Sequence, residues 1–330
     1  MSIEIRPARD VAEPALAQFY REAFPHRAHA DIWRWLYRTD WENHPLPLVM
    51  LDGSRVIAHA GGIPFRARLG GQELSAQWFV DFALLPEYRR QGLGTRLTEH
   101  WASLADICVT FCNDDSWRVF QRLGWLTSAE PVLHTLWLRA GDHPRMQRIP
   151  GPARAVAGAA VSAVMGLARS GTSSAEPRPL DQAGLASLVP DGVGGDSDLV
   201  VTAVRDPEYL QWRIERSPAR ARYRIFADDE ATMLVSVGDS DRLDVLWMTP
   251  REGASMRGSL AALARWAAGY GYSAVRYLPE SPAIASSVAA LLPVVSRPRY
   301  ACWSTDTSLR ALLANAGCRW QLIDSDFEWI

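Results

Sequence analysis

Cysteine is scarce. Cys108, Cys112, Cys302 and Cys318 fall in no metal-ligand spacing, so no metal site is expected and reduced, buried thiols are. Charge of one sign is also missing: the net value is −2 at pH 7, and no basic stripe interleaved with aromatics appears, which removes the footprint of a nucleic-acid partner. Met1 to Asp10 mixes acids and bases around no apolar core, so a signal peptide is not expected and the cytoplasm is the expected compartment. The small-residue apolar stretch Ala155 to Ala168 is about fourteen residues long, short of the twenty or so that span a bilayer. It reads as an interdomain helix; a helix lying on a membrane surface would want larger apolar residues. Two nucleotide signatures are absent as well. Thr95 and Arg96 follow Gly94, which completes neither a dinucleotide Gly-x-Gly-x-x-Gly fingerprint nor a P-loop Gly-Lys-Ser/Thr.

Against these absences stands one informative segment. Between Phe79 and Arg96 an apolar run breaks at Pro86 and re-forms through Gly92 and Gly94 into a helix. The first backbone N–H groups of a helix have no intrahelical acceptor, and glycines let a ligand approach them closely. The helix dipole and the charges of Arg89, Arg90 and Arg96 act in the same direction, so the segment favours a polyanion. A glycine-eased turn that binds nothing has the same spacing.

The segment resembles motif A of the GNAT superfamily of acyl-CoA-dependent N-acyltransferases, whose Arg/Gln-x-x-Gly-x-Gly/Ala pattern is met by Arg89, Gly92 and Gly94 after a strand ending near Pro86. A helix, a strand and then Asn113 to Trp125 follow, and this last stretch resembles motif B, in which an Asn opens a helix that ends at Leu-Gly-Phe/Trp. The resemblance implies acetyl-CoA or another acyl-CoA as co-substrate, no metal, and a small-molecule amine acceptor such as an amino sugar or natural-product intermediate. It assigns the pantetheine arm to the backbone of Phe82, Ala83 and Leu84, and the pyrophosphate to Arg90, Gln91, Gly92, Leu93, Gly94 and Thr95, with Arg89 of the motif also counted as coenzyme-binding. Asn113 falls near the coenzyme arm. Where many members carry a proton-donating Tyr this chain has Phe120, and where some carry a Glu it has Cys108.

Three acids or bases are candidates for the missing proton chemistry. Asp81 is a carboxylate in an apolar strand, readable either as a base or as a structural acid. His59 lies on the preceding strand with a suitable intrinsic pKa, readable equally as a packed residue. Asp326 would share one face of a final strand with Asp324 and Glu328, forming either an attractor for a cationic acceptor or a solvated edge. Of the fourteen tryptophans, Trp35, Trp212 and Trp266 read as core, while Trp33, Trp41, Trp78 and Trp117 are candidates for an acceptor cleft.

With 330 residues, 48% of them hydrophobic, the chain can bury two cores, and its halves run in step. Ile32 to Tyr37 parallels Tyr209 to Ile214, and each is followed by strand, strand, strand, helix, strand and short helix. The expected fold is α/β (α+β): two GNAT-like domains, each a mixed, mostly antiparallel sheet flanked by helices. The expected division is 1–142 with the acyl-CoA site, 143–179 as linker, and 180–330 as a degenerate second domain, since Thr249 to Gly258 lacks the cradle spacing. Two alternatives are a Fem-like aminoacyl transferase, which also pairs GNAT-like halves, and a non-catalytic acyl-CoA sensor or scaffold. Nothing in the sequence sets the oligomeric state.

Overall fold

A computed structural model describes residues 3–25, 29–38, 44–127, 131–151, 153, 156–159, 162, 166, 175–188, 199–238, 241–251 and 254–325. The chain divides into two compact units. Residues 1–130, 195–218 and 299–318 form the first, and residues 131–194, 219–298 and 319–330 the second.

The first unit contains strands β1 (Ile3–Pro7), β2 (Leu48–Asp52), β3 (Arg55–Leu69), β4 (Gln72–Leu84) and β5 (Ile107–Cys112), with helices α1 (Glu13–Ala23), α2 (His29–Leu36), α3 (Leu93–Ala102) and α4 (Asp114–Arg122). Its sheet runs in the order β1-β2-β3-β4-β5, closed by a strand from far along the chain, Arg299–Trp303. The pairs are antiparallel except β4 with β5, which α3 connects as a crossover unit. Alternate residues of β2 to β5 and the inner faces of α3 and α4 meet in a core that includes Ile57, Phe79, Leu97, Trp101, Cys108, Phe120 and Trp125.

The second unit repeats this plan. Its sheet includes β6 (Leu133–Trp137) and β7 (Arg178–Pro179), and later β9 (Tyr223–Ala227), β10 (Ala231–Ser236), β11 (Arg242–Pro250), β12 (Ala274–Tyr277) and β13 (Val294–Ser296); β8 (Val200–Ala203) pairs instead with β3. The order is β13-β6-β12-β11-β10-β9-β7. Here too a single parallel pair, β11 with β12, is joined by a helix, α5 (Arg257–Gly269). The two mixed, mostly antiparallel sheets with flanking helices are the fold class expected from the sequence.

The division into units differs from the contiguous one read from the sequence. β6, within the range 1–142 assigned to the first domain, pairs with β12, and β14 (Arg299–Trp303), within the range 180–330, pairs with β5. Periodicity reports that a segment is a strand but not which open edge it fills, so an exchange of edge strands leaves no trace in the sequence pattern. Of the linker stretch Ala155 to Ala168, residues 156–159 are helical, and most of the rest lies outside the described residues.

Within the first unit the repeated tryptophans are bonded to each other. Trp35 Nε1 donates to the Trp212 carbonyl at 2.8 Å, and Trp212 Nε1 donates to the Trp35 carbonyl at 2.7 Å. The guanidinium of Arg38 covers Trp212 and that of the buried Arg213 covers Trp35. Trp35→Phe or Trp212→Phe removes one of these bonds and strands a carbonyl, so each is expected to lower stability by about 1–3 kcal/mol. Urea unfolding of the single and double variants checks this, and the double variant should lose less than the sum because both bonds rest on one ring pair.

Candidate functional site

The site starts where two parallel strands separate. β4 and β5 pair only from Ala76 to Trp78 against Ile107 to Val109. Thr110 Oγ1 donates to the Phe79 carbonyl at 2.9 Å, the last tie between them. Beyond it β5 keeps to β14 as far as Cys112 opposite Arg299, while β4 keeps to β3 as far as Leu84 opposite Ala58. Val80 to Leu84 therefore present a strand edge that β5 does not cover. This edge includes Phe82, Ala83 and Leu84, with the Phe82 ring 39% exposed.

A bulge sets the direction of that edge. His59 pairs with Ala83 but Gly61 with Val80, so Asp81 and Phe82 together oppose Ala60. Asp81 sits at φ +51°, a left-handed conformation that costs a residue with a Cβ about 1 kcal/mol unless its surroundings enforce it. Those surroundings are explicit. His59 Nδ1 lies 2.7 Å from the Asp81 carbonyl, and the Tyr37 hydroxyl donates to Asp81 Oδ2 at 2.6 Å. Tyr37 reaches β4 across Gly61, where a Cβ would lie 2.9 Å from the tyrosine ring and 2.7 Å from the Val80 carbonyl.

Beyond the edge, the 3₁₀ turn Pro86–Tyr88 leads into the loop predicted to cradle an anion. Arg90 lies at φ +63° and Gly92 at φ +76°, and Gly92 caps α3 without a side-chain bond. The first helical bond runs from Arg96 N to the Gly92 carbonyl. Among the described residues, the N–H groups of Leu93, Gly94 and Thr95 have no acceptor, which is the condition for an anion site. Open space surrounds the Gly92 Cα, so a side chain there would meet no protein atom but would fill the cradle. The arginines divide their work. Arg89 Nε donates to the Leu84 carbonyl and Arg96 Nη2 to the Ile3 carbonyl, fixing the turn and the helix start, while the Arg90 side chain makes no such bond among the described residues. The Gln91 side chain closes back on the Glu87 carbonyl.

The second unit supplies an internal comparison. α5 is capped by Met256 at φ 57° and ψ −3°, against φ 76° and ψ −3° for Gly92. At α5, however, the orphan donors are taken. Glu230 Oε2 accepts from Gly258 N at 2.8 Å and Ser259 N at 3.2 Å, and Asp228 Oδ1 accepts from the Ser259 hydroxyl. A carboxylate of the chain's own β9–β10 turn occupies the place that is open at α3. Sequence reading missed Glu230, Met256, Tyr37 and Gly61. Nothing in the acidic turn Asp228 to Glu230 tells that it reaches a helix start thirty residues on.

The remaining predicted residues take varied places. His59 is fully buried among the rings of Phe19, Tyr20, Phe24 and Tyr37, and burial pushes its pKa down to about 3. With Nδ1 against a carbonyl and Nε2 3.4 Å from the Tyr20 hydroxyl, it is a neutral structural donor and not a base open to substrate. Asn113 caps α4: its Oδ1 accepts from Ser116 N, and Ser116 Oγ accepts from Asn113 N. Phe120 is buried against Phe79 and Trp125, and Cys108, with its pKa pushed up to about 12 by burial, stays a thiol. Asp324 is not on a strand face; it is buried in the turn Leu322–Asp324 and accepts from Gln321 N. Asp326 and Glu328, like Trp41, lie outside the described residues. Trp33 and Trp78 are core residues rather than cleft walls, Trp78 stacking on Phe65 and Phe111. Among the described residues no cluster of His, Cys, Asp or Glu could hold a metal ion, and no helix is long and apolar enough to cross a membrane.

The buried His59 makes stability depend on pH. Its native pKa of about 3 lies below the ordinary 6.5, so below pH 6.5 the unfolded chain binds a proton that the native chain refuses. Stability contributed by the neutral imidazole is complete above that pH and is lost as pH falls, by roughly 1–2 kcal/mol between pH 6.5 and 5. Urea unfolding at the two pH values should show this loss, and His59→Asn should lack that share of it.

Residues 4–104 match the family described as Acetyltransferase (GNAT) domain. Among curated proteins none matches the chain in sequence. Solved structures similar to it include a probable N-acyltransferase from Enterococcus faecalis, at TM-score 0.57 and 11% identity, covering 92% of this chain and 72% of that one. A GCN5-related N-acetyltransferase from Kribbella flavida has TM-score 0.55 and 14% identity, with 92% and 72% covered. Another from Anabaena variabilis has TM-score 0.57 and 10% identity, with 92% and 73% covered. At these identities the likeness is one of fold. Residues 4–104 thus match the acetyltransferase (GNAT) domain, and the uncovered edge of β4 and the open start of α3 both lie inside the matched stretch.

Proposed function

We propose that this chain is an acyl-CoA-dependent N-acyltransferase of two GNAT-like halves, with one coenzyme site, in the first half, and an amine as acceptor. The observation that carries the reading is the pair of helix starts with one cap geometry. At α3 the N–H groups of Leu93, Gly94 and Thr95 stand without an acceptor, and at α5 the Glu230 carboxylate answers the same need from within. A pyrophosphate at α3 satisfies donors that nothing else in the described chain satisfies, with Arg90 adding its charge. The uncovered edge of Phe82, Ala83 and Leu84 is suited to the amide groups of pantetheine, as an extended ligand is to an open strand edge. Asn113, which follows the end of β5 and opens α4, is the further residue assigned to the coenzyme arm.

In the transfer, the amine nitrogen forms a bond to the thioester carbon, the oxygen gathers negative charge, and the C–S bond breaks to release coenzyme A. A backbone N–H of the β4 edge supplies the donor to the oxyanion. Asp81, half-exposed on the bulge beside that edge, takes the proton that an ammonium acceptor must lose. Phe120 and Cys108 contribute no proton to the departing thiolate, the first having none to give and the second being buried, so the second proton, which the nitrogen sheds after attack, passes through water to the thiolate.

Calorimetric titration with coenzyme A is expected to give one equivalent per chain. Gly92→Glu should abolish binding with the fold intact by circular dichroism, whereas Glu230→Gln should leave the stoichiometry at one. No binding to the wild-type chain would overturn the reading. Thiol release from acetyl-CoA over a panel of amines tests the chemistry, and binding without release for any of them would favour an acyl-CoA sensor.

A further inference from the structure

The transfer chemistry does not use the side chain of His59. It is fully buried, it lies at the mouth of the bulge, and its nearest polar contact is the carbonyl of the residue that the bulge displays. A carbonyl oxygen can only accept, so Nδ1 carries the proton; in a neutral imidazole Nε2 is then the acceptor, and the Tyr20 hydroxyl faces it. We propose, resting on the acyltransfer reading, that His59 is a positioning residue: its Nδ1–H clamps the Asp81 carbonyl, holds the left-handed bulge, and thereby aims the Asp81 carboxylate at the acceptor amine.

Three features carry this. First, a non-glycine residue at φ +51° relaxes toward the extended region unless it is tied down, and Asp81 is tied at both ends, by His59 at its carbonyl and by Tyr37 at its carboxylate. Second, the ties come from separate elements, β3 and the end of α2, and Gly61 leaves the room through which Tyr37 passes. Such convergence goes beyond what packing a histidine needs. Third, the bulge is continuous with the uncovered edge, so its direction also sets the direction of the Phe82 to Leu84 backbone. The groups facing the imidazole are Phe19, Tyr20 and Phe24 from α1 and its end, Tyr37 after α2, and Asp81 from β4. Burial raises the Tyr20 pKa and so keeps its proton in place, and the low pKa that burial gives His59 keeps the imidazole neutral at working pH.

Two measurements decide it. Nitrogen-15 spectra of the imidazole in the wild-type chain, with no acceptor present, should show a protonated Nδ1, an unprotonated Nε2 and no titration between pH 5 and 9. A protonated Nε2, or a titration near pH 6.5, would overturn the clamp. In kinetics, His59→Leu keeps bulk but loses the donor, while His59→Asn restores an N–H near the place of Nδ1. His59→Leu should lower kcat by about tenfold to a hundredfold, the scale of misplacing a reacting group, with a clearly smaller loss of coenzyme A affinity, since the phosphate cradle at α3 does not depend on the bulge. His59→Asn should recover most of that loss. Wild-type kcat in His59→Leu, or equal losses in kcat and coenzyme affinity, would refute the positioning role. Should His59→Leu not fold, the imidazole spectra and His59→Asn carry the test, the latter refuting the role if its kcat falls as far as that expected of the leucine variant. Thiol release by the wild-type chain reports on the transfer reading separately, since the spectra need no turnover.

Discussion

Backbone groups left without partners organise the first unit. A strand edge that loses its neighbour, and a helix start that has none to begin with, are unfavourable places in a folded chain unless water or a ligand attends to them. Here the two lie next to each other in sequence and are joined by one short turn, β4 running to Leu84 and α3 starting at Leu93. Each is produced by an identifiable local cause. The edge is uncovered because β5 pairs with β14 where it leaves β4, and the helix start is open because Gly92 caps it by conformation alone. The left-handed residues Asp81 and Arg90 are the strained joints of this arrangement, and both stand beside the groups that would meet a ligand.

The second unit tests this view within the same molecule. Its crossover helix α5 follows a left-handed cap of nearly the same angles, yet its amides are satisfied by Glu230 and its cap residue, Met256, is buried. A carboxylate and a phosphate are alternative answers to one electrostatic demand, so the half that carries its own carboxylate has no place for a phosphate there. The two helix starts share a cap geometry and differ in whether a side chain of the chain itself reaches their amides.

Much of this was legible in the sequence, for physical reasons that also mark where legibility ended. The turn from Pro86 through Gly94 announces itself because proline and glycine restrict or free the backbone locally, and the α3, β5, α4 succession follows from apolar periodicity. The aromatic match of Trp35 with Trp212 was visible in the sequence, but not that both belong to the first unit, where they bond to each other. The exchange of β6 and β14 was not visible, since strand pattern carries no information about partner. Nor was the role of His59. A histidine on an apolar strand suggests a base by its intrinsic pKa, and only its burial and its contact with the Asp81 carbonyl show a neutral donor. The acidic C-terminal alternation suggested a strand face, but Asp324 turns inward to cap its own turn, a local hydrogen bond that an alternating pattern does not reveal.

The central claim is that the open amides at the start of α3, and not those of α5, receive the coenzyme's phosphates. Amide spectra of the isotopically labelled chain titrated with coenzyme A test it directly. Leu93, Gly94 and Thr95 should shift together and saturate at one equivalent, while Gly258 and Ser259, held by Glu230, stay in place. Silent amides at Leu93 to Thr95, or shifts at Gly258 and Ser259 on the same titration, would contradict it.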